Sequence, residues 1–178
     1  MNIFGKMKGT TQSPPRVGSS EVVWSWIGAF LGIALVGSFQ SLIVDSIDRN
    51  LLIGSFGATA VLVYGAIRSP LAQPRNVLGG HVLSAIVGVL SFQIAGDITW
   101  LAAALAVSTA IALMHVTKTL HPPGGATALI AVIGGDSIHN LGYFYALIPV
   151  GLGAILLLAV ALVVNNMAGK RRYPEFWL

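Results

Sequence analysis

The run Leu120-His121-Pro122-Pro123-Gly124-Gly125-Ala126-Thr127 gathers a titratable ring, two prolines, two glycines and a hydroxyl. Proline suits the first turn of a helix, where its missing N–H has no partner to lose, so Pro122 and Pro123 predict a helix start. That first turn presents unpaired N–H groups and a positive partial charge of about half a unit. Gly124 and Gly125 leave those groups uncovered, Ala126 stays small and Thr127 adds a hydroxyl, which together suit a small anion. His121 could donate a hydrogen bond to the anion, gain a proton with it, or serve as a polar cap at a surface. A second run, Gly54-Ser55-Phe56-Gly57-Ala58-Thr59, shares the word Gly-Ala-Thr-Ala with residues 125–128 at an offset of 68 residues. It would supply a matching start, with Ser55 and Thr59 as hydroxyl donors. In both runs the small residues have a second reading, as places where helices approach closely.

Two further residues are candidates. His81 sits about one turn inside an uncharged run, a depth at which an ionisable group is a functional candidate by default. Arg75 lies in a Pro-bounded loop, where it draws anions to a pathway mouth or simply sets orientation. His115 and His139 read as interfacial. No two histidines stand at the i, i+4 spacing of a zinc pair, and the 178 residues contain no cysteine, so no metal or other cofactor is expected.

These residues need elements to hold them, and composition says which. The chain is 55% hydrophobic and 9% charged, against about 25% charged in soluble domains. Sixteen charged side chains cannot cover a water-soluble surface of this size, so an all-α integral membrane protein is expected. The basic residues giving a net charge of +4 stand at the ends of apolar runs and not on one face, which argues against a nucleic-acid partner. Residues 1–20 read as a polar tail, 21–169 as the transmembrane domain and 170–178 as a second tail. The uncharged runs are Val22 to Val44, Asn50 to Ile67, Asn76 to Gly96, Ile98 to Thr117, Pro122 to Gly135 and Asn140 to Gly169. They predict about six transmembrane or half-spanning helices. The fifth, at 14 residues, would rise only about 21 Å against a hydrocarbon core of about 30 Å.

If all six cross from a cytoplasmic amino terminus, every Lys and Arg but Arg49 falls inside, including Arg68, Arg75, Lys118 and the Lys170-Arg171-Arg172 cluster. Asp45, Asp48, Asp97 and Asp136 fall outside, and no acid is expected within a span. The shared word lies in the middle segment of each three-segment half. It reads either as two inverted repeats, the plan of many secondary transporters, or as coincidence in a Gly- and Ala-rich chain. Gly28 and Gly32, one turn apart, mark a close contact either between subunits or within one. Trp24, Trp26, Trp100 and Tyr143 sit near run ends, as interface aromatics do.

Together, LHPPGGATAL, GSFGATAVLVYG and SPLAQPRNVLGGH resemble the HPP family of integral membrane proteins. Members in cyanobacteria and plastids are linked to nitrite transport. The resemblance therefore implies a small transporter of nitrite or a similar anion, with a place in nitrate assimilation. Its motif positions include Gly54, Ser55, Gly57, Ala58, Thr59, Arg75, His81 and His121 through Thr127.

The expected function is transport of a small inorganic anion, not catalysis, by a homo-oligomer in contact with membrane lipid. The alternatives are a structural or regulatory subunit of a larger complex and an intramembrane enzyme. The enzyme is disfavoured by the absence of a Ser/His/Asp set, and no ATP-binding GxxxxGK[ST] loop is present. The lack of a transit peptide points to a bacterial (cyanobacterial) inner membrane, with both termini cytoplasmic.

Overall fold

Away from water, a main chain can satisfy its own N–H and C=O groups only as a helix or a closed barrel, and this sequence takes the first route. The computed structural model describes residues 3–8, 11–44 and 46–178, with the side chains of residues 4, 5, 46 and 47 also left aside. Asp45 therefore lies outside the described residues.

A single helical turn, α1 (Ile3–Lys6), precedes α2 (Ser19–Gln40). Next comes α3 (Ser46–Ala60), which widens into a π-type turn over Val61–Gly65. After a short 3-10 turn at Pro70–Ala72 follow α4 (Pro74–Ala95), α5 (Thr99–Val116), α6 (Pro122–Ile133) and the short α7 (Asp136–His139). A second wide turn, Ala146–Gly151, leads into α8 (Leu152–Met167). Pro149 interrupts that turn, and Ile148 is extended within it (φ −136, ψ 121). Among the described residues all regular structure is helical, so the protein is an all-α membrane protein.

Four segments are long and apolar enough to cross a bilayer: Ser19–Gln40, Pro74–Ala95, Thr99–Val116 and Ala146–Met167. α6, with 12 residues, rises about 18 Å. The segments nonetheless alternate between two ends of the bundle. At one end, Arg171 beyond α8 pairs with Glu21 at the start of α2 (2.8 Å), and His121 before α6 meets the carbonyl of Leu71 (2.8 Å). At the other, Gly135 just past α6 donates to Asp48 in the first turn of α3 (2.7 Å). The first end thus carries Arg68, Arg75, Lys118 and the basic cluster after α8.

The two halves share a packing pattern. α2 lies against α3 of its own half and α8 of the other, while α5 lies against α6 of its own half and α4 of the other. Apolar side chains cover much of the outer surface, among them Phe30, Leu35, Ile94 and Val163, as lipid contact requires and water would not permit. Trp26, Trp100 and Tyr143 are also exposed.

The packing adds two facts here. Gly28 and Gly32 face Tyr64 of the wide turn after α3, and a Cβ on Gly28 would stand 2.5 Å from the Tyr64 ring. The close contact is therefore within the chain. Arg171 and Tyr173, in residues 170–178, bond back to the bundle. Arg171 donates to Asn165 (2.9 Å) and to the hydroxyl of Ser25 (2.8 Å), and Tyr173 donates its hydroxyl to the carbonyl of Ala72 (2.6 Å). Burial pushes the Tyr173 hydroxyl above its ordinary range.

Candidate functional site

α3, α4 and α6 meet where their sequences place hydroxyls and imidazoles on inward faces. Asp48, Leu52, Ser55 and Thr59 recur at helical spacing on one stripe of α3. The polar members of that stripe turn toward α6 and the segment after it. α4 can lie almost directly on α6 because glycines line the seam. A Cβ on Gly80 would stand 2.5 Å from His121 Cβ, one on Gly88 2.5 Å from the carbonyl of Ala128, and one on Gly124 2.8 Å from the carbonyl of Gly80.

At this junction five polar side chains are sealed from the surface: Ser55 is 2% exposed, Thr127 1%, and Thr59, His81 and His121 0%. Buried polar groups must pair, and these pair with one another. The Ser55 hydroxyl lies 2.8 Å from that of Thr127 and 3.0 Å from the carbonyl of Pro123. His81 bridges the two repeated words, its Nδ1 2.7 Å from the Thr127 hydroxyl and its Nε2 2.7 Å from the Thr59 hydroxyl. Thr59 also reaches His121 Nε2 (3.0 Å). Phe56 closes one side of His81, with ring centroids 5.1 Å apart.

Comparison with known proteins supplies a name for the motif. A family model described as HPP, transmembrane region, matches residues 14–174. The chain belongs to the HPP transmembrane family. It is 45% identical over 177 residues to the transmembrane protein DDB_G0273707/DDB_G0273361 of Dictyostelium discoideum, covering 98% of this chain and 57% of that protein. It is 43% identical over 180 residues to the transmembrane protein DDB_G0269096 of the same organism, covering 98% of this chain and 62% of that protein. This chain thus spans about six-tenths of the length of the curated relatives it matches. Both come from Dictyostelium, so they lend no support to the bacterial membrane expected from the sequence. No solved structure matches.

In this HPP domain the geometry departs from two facing helix starts. Gly54, Ser55, Gly57, Ala58 and Thr59 lie inside α3, eight residues or more from its beginning at Ser46, so their main-chain amides serve the helix itself. No proline precedes the first Gly-Ala-Thr-Ala, so α3 runs through it, whereas Pro122 and Pro123 open a helix just before the second. At α6 the start is where expected, with His121 in the cap position and Pro122 and Pro123 in the first turn. Two of its early amides are prolines without N–H, and Gly124 N–H is taken by the carbonyl of His121 (2.8 Å). Gly124 is packed on α4, while a Cβ at Gly125 would look toward Val107 of α5 at 3.8 Å. The exposed-amide seat is therefore replaced by side-chain donors.

The structure brings Ser55, Thr59, His81, His121 and Thr127 together. It leaves Arg75 outside the cluster, donating to the carbonyl of Thr117 (2.9 Å), about 9 Å along α4 from His81. Two participants were not foreseen. Tyr145, fully buried, donates its hydroxyl to the carbonyl of Thr127 (3.1 Å), and nothing in its apolar run signals this. Asp48 is a buried acid in the first turn of α3, ahead of the uncharged run Asn50 to Ile67. It is 0% exposed in α3 and holds Gly135 N–H and the Ser137 hydroxyl. Those donors offset the cost of burying a carboxylate. Its seven-residue spacing from Ser55 was the available signal. Among the described residues, no three His, Asp or Glu side chains gather closely enough to hold a metal ion.

Proposed function

We propose that this chain moves a small inorganic anion, nitrite foremost, through the junction of α3, α4 and α6. The observation that carries the reading is the buried set Ser55, Thr59, His81, His121 and Thr127, five donors from three helices with no acid among them. An anion leaves water only where other donors replace its hydration. Hydroxyls and imidazole N–H groups do so without a fixed positive charge that would hold the ion too tightly. In the arrangement seen these groups satisfy one another, which is how a closed pathway avoids unpaired polar atoms. The π-type turns at Val61–Gly65 and Ala146–Gly151 flank the junction, and such turns are frequent at functional sites.

The end carrying Arg68, Arg75, Lys118 and the basic cluster faces the cytoplasm in this reading, with both termini there. Arg75 stands at the cytoplasmic mouth. We take the chain to be a homo-oligomer without enzymatic activity, cofactor or nucleic-acid partner. The test is flux into liposomes carrying the purified protein, with nitrite, nitrate, formate and chloride compared. Nitrite uptake above that of protein-free liposomes is expected, and equal uptake of all four anions in both overturns the reading.

One observation favours a second reading. The relatives extend well beyond the matched region, which fits a membrane module serving a larger protein. Flux by this chain alone separates the two.

A further inference from the structure

We infer that the junction takes up one proton with each monovalent anion, so that transport is electroneutral; this rests on the transport reading above. The hydrogen bonds have a direction that a single main-chain group fixes. The carbonyl of Leu71 can only accept, so His121 Nδ1, 2.8 Å away, carries the hydrogen, and in the neutral ring its Nε2 is bare. Thr59 must then donate to His121 Nε2 (3.0 Å), and His81 Nε2–H must donate to Thr59 (2.7 Å). His81 Nδ1 is left to accept from Thr127 (2.7 Å), whose oxygen accepts from Ser55 (2.8 Å). In this arrangement every hydrogen is placed and both rings are neutral.

The same geometry has places ready for one extra proton. When His81 Nδ1 takes a proton from a hydronium ion on the side of arrival, one O–H bond breaks to leave water, one N–H bond forms and no heavy-atom bond changes. Thr127 turns its hydrogen to the carbonyl of Pro123 (3.3 Å), and Ser55 turns to the same carbonyl (3.0 Å). Thr127 now accepts from His81, and no buried group is left unpaired. The proton returns to water on the far side when the anion leaves.

A second proton is opposed because the His81 and His121 ring centroids are 4.9 Å apart and two cations there repel. Three other titratable or charged groups on the surrounding elements are engaged elsewhere. Asp48 holds Gly135 and Ser137, Tyr145 holds the carbonyl of Thr127, and Arg75 holds the carbonyl of Thr117. The imidazole pair is thus what can supply a single positive charge to an arriving anion.

The experiment uses liposomes carrying the whole chain, a pH dye inside, and a membrane potential set by potassium and valinomycin, with protein-free liposomes subtracted. Nitrite uptake that changes less than about twofold with the imposed potential, accompanied by about one proton per nitrite, supports the proposal. Potential-driven uptake without proton movement overturns the coupling and leaves the transport reading standing. No uptake of nitrite, nitrate, formate or chloride overturns the transport reading and the coupling with it. Folded H81Q is expected to lose proton-linked uptake at least about tenfold. If H81Q and H121Q both retain coupled uptake, the imidazoles are not the carriers and the proposal fails.

Discussion

At the scale of single residues, the hydroxyls of Ser55, Thr59 and Thr127 each have at least two partners, so removal of one hydroxyl strands atoms with no water to reach. Thr59 joins both imidazoles, at 2.7 Å and 3.0 Å. Thr59→Val keeps the shape but leaves two ring nitrogens short of a partner, and should cost about 1 to 3 kcal/mol of stability. Thermal unfolding in detergent reads this, and an unchanged melting temperature would show the network contributes little. His121 and Thr127 were legible because the prolines between them announce a helix start. The partner of His121 was not, because a main-chain carbonyl such as that of Leu71 carries no sequence signature.

Between elements, the contacts are set by what is missing from glycine. Gly124 meets the carbonyl of Gly80 and the hydroxyl of Ser84, both 2.8 Å from where a Cβ would stand, and a carbonyl in a helix cannot move aside. Gly124→Ala should force α4 and α6 apart at a cost of about 1 to 3 kcal/mol. Gly125→Ala, with only Val107 at 3.8 Å, should be neutral or slightly stabilising. Unfolding curves of the pair decide it, and equal effects would contradict the packing described. The sequence presents these two neighbours identically. Their difference arises from the phase of α6 against α4, which composition does not encode.

A second contact of this kind docks the chain beyond α8. Tyr173→Phe removes the hydrogen bond to Ala72 (2.6 Å) and should cost about 1 kcal/mol. Because the hydroxyl is raised above its ordinary value, its stabilisation is complete below about pH 10 and is lost as pH rises through the raised value. Limited proteolysis of residues 170–178 should therefore quicken in strong alkali in the wild type. No such change in alkali would refute the docking role of the hydroxyl.

Over the whole molecule, membrane character was plain from composition, since 9% charged residues permit little else. The count of segments was nearly as plain. What the charge pattern could not convey is that α6 joins the two ends of the bundle in 12 residues, because lengths were judged against lipid and not against neighbouring helices. The absence of cysteine makes orientation directly testable. Single cysteines at Lys170 and Asp97 should be labelled by an impermeant reagent from opposite faces, with Lys170 reached from the cytoplasm. Labelling of both from one face would contradict the alternation of segments.

The central claim is that ions pass through the α3, α4 and α6 junction, and one side chain of α6 bonds both other helices there. Thr127 bonds Ser55 at 2.8 Å and His81 at 2.7 Å, and Tyr145 bonds its carbonyl. The decisive measurement is nitrite flux into liposomes carrying equal amounts of folded wild type or Thr127→Val. A fall of about tenfold or more, worth about 1.4 kcal/mol in the barrier, is predicted. Equal flux from the two proteins would place the pathway somewhere else.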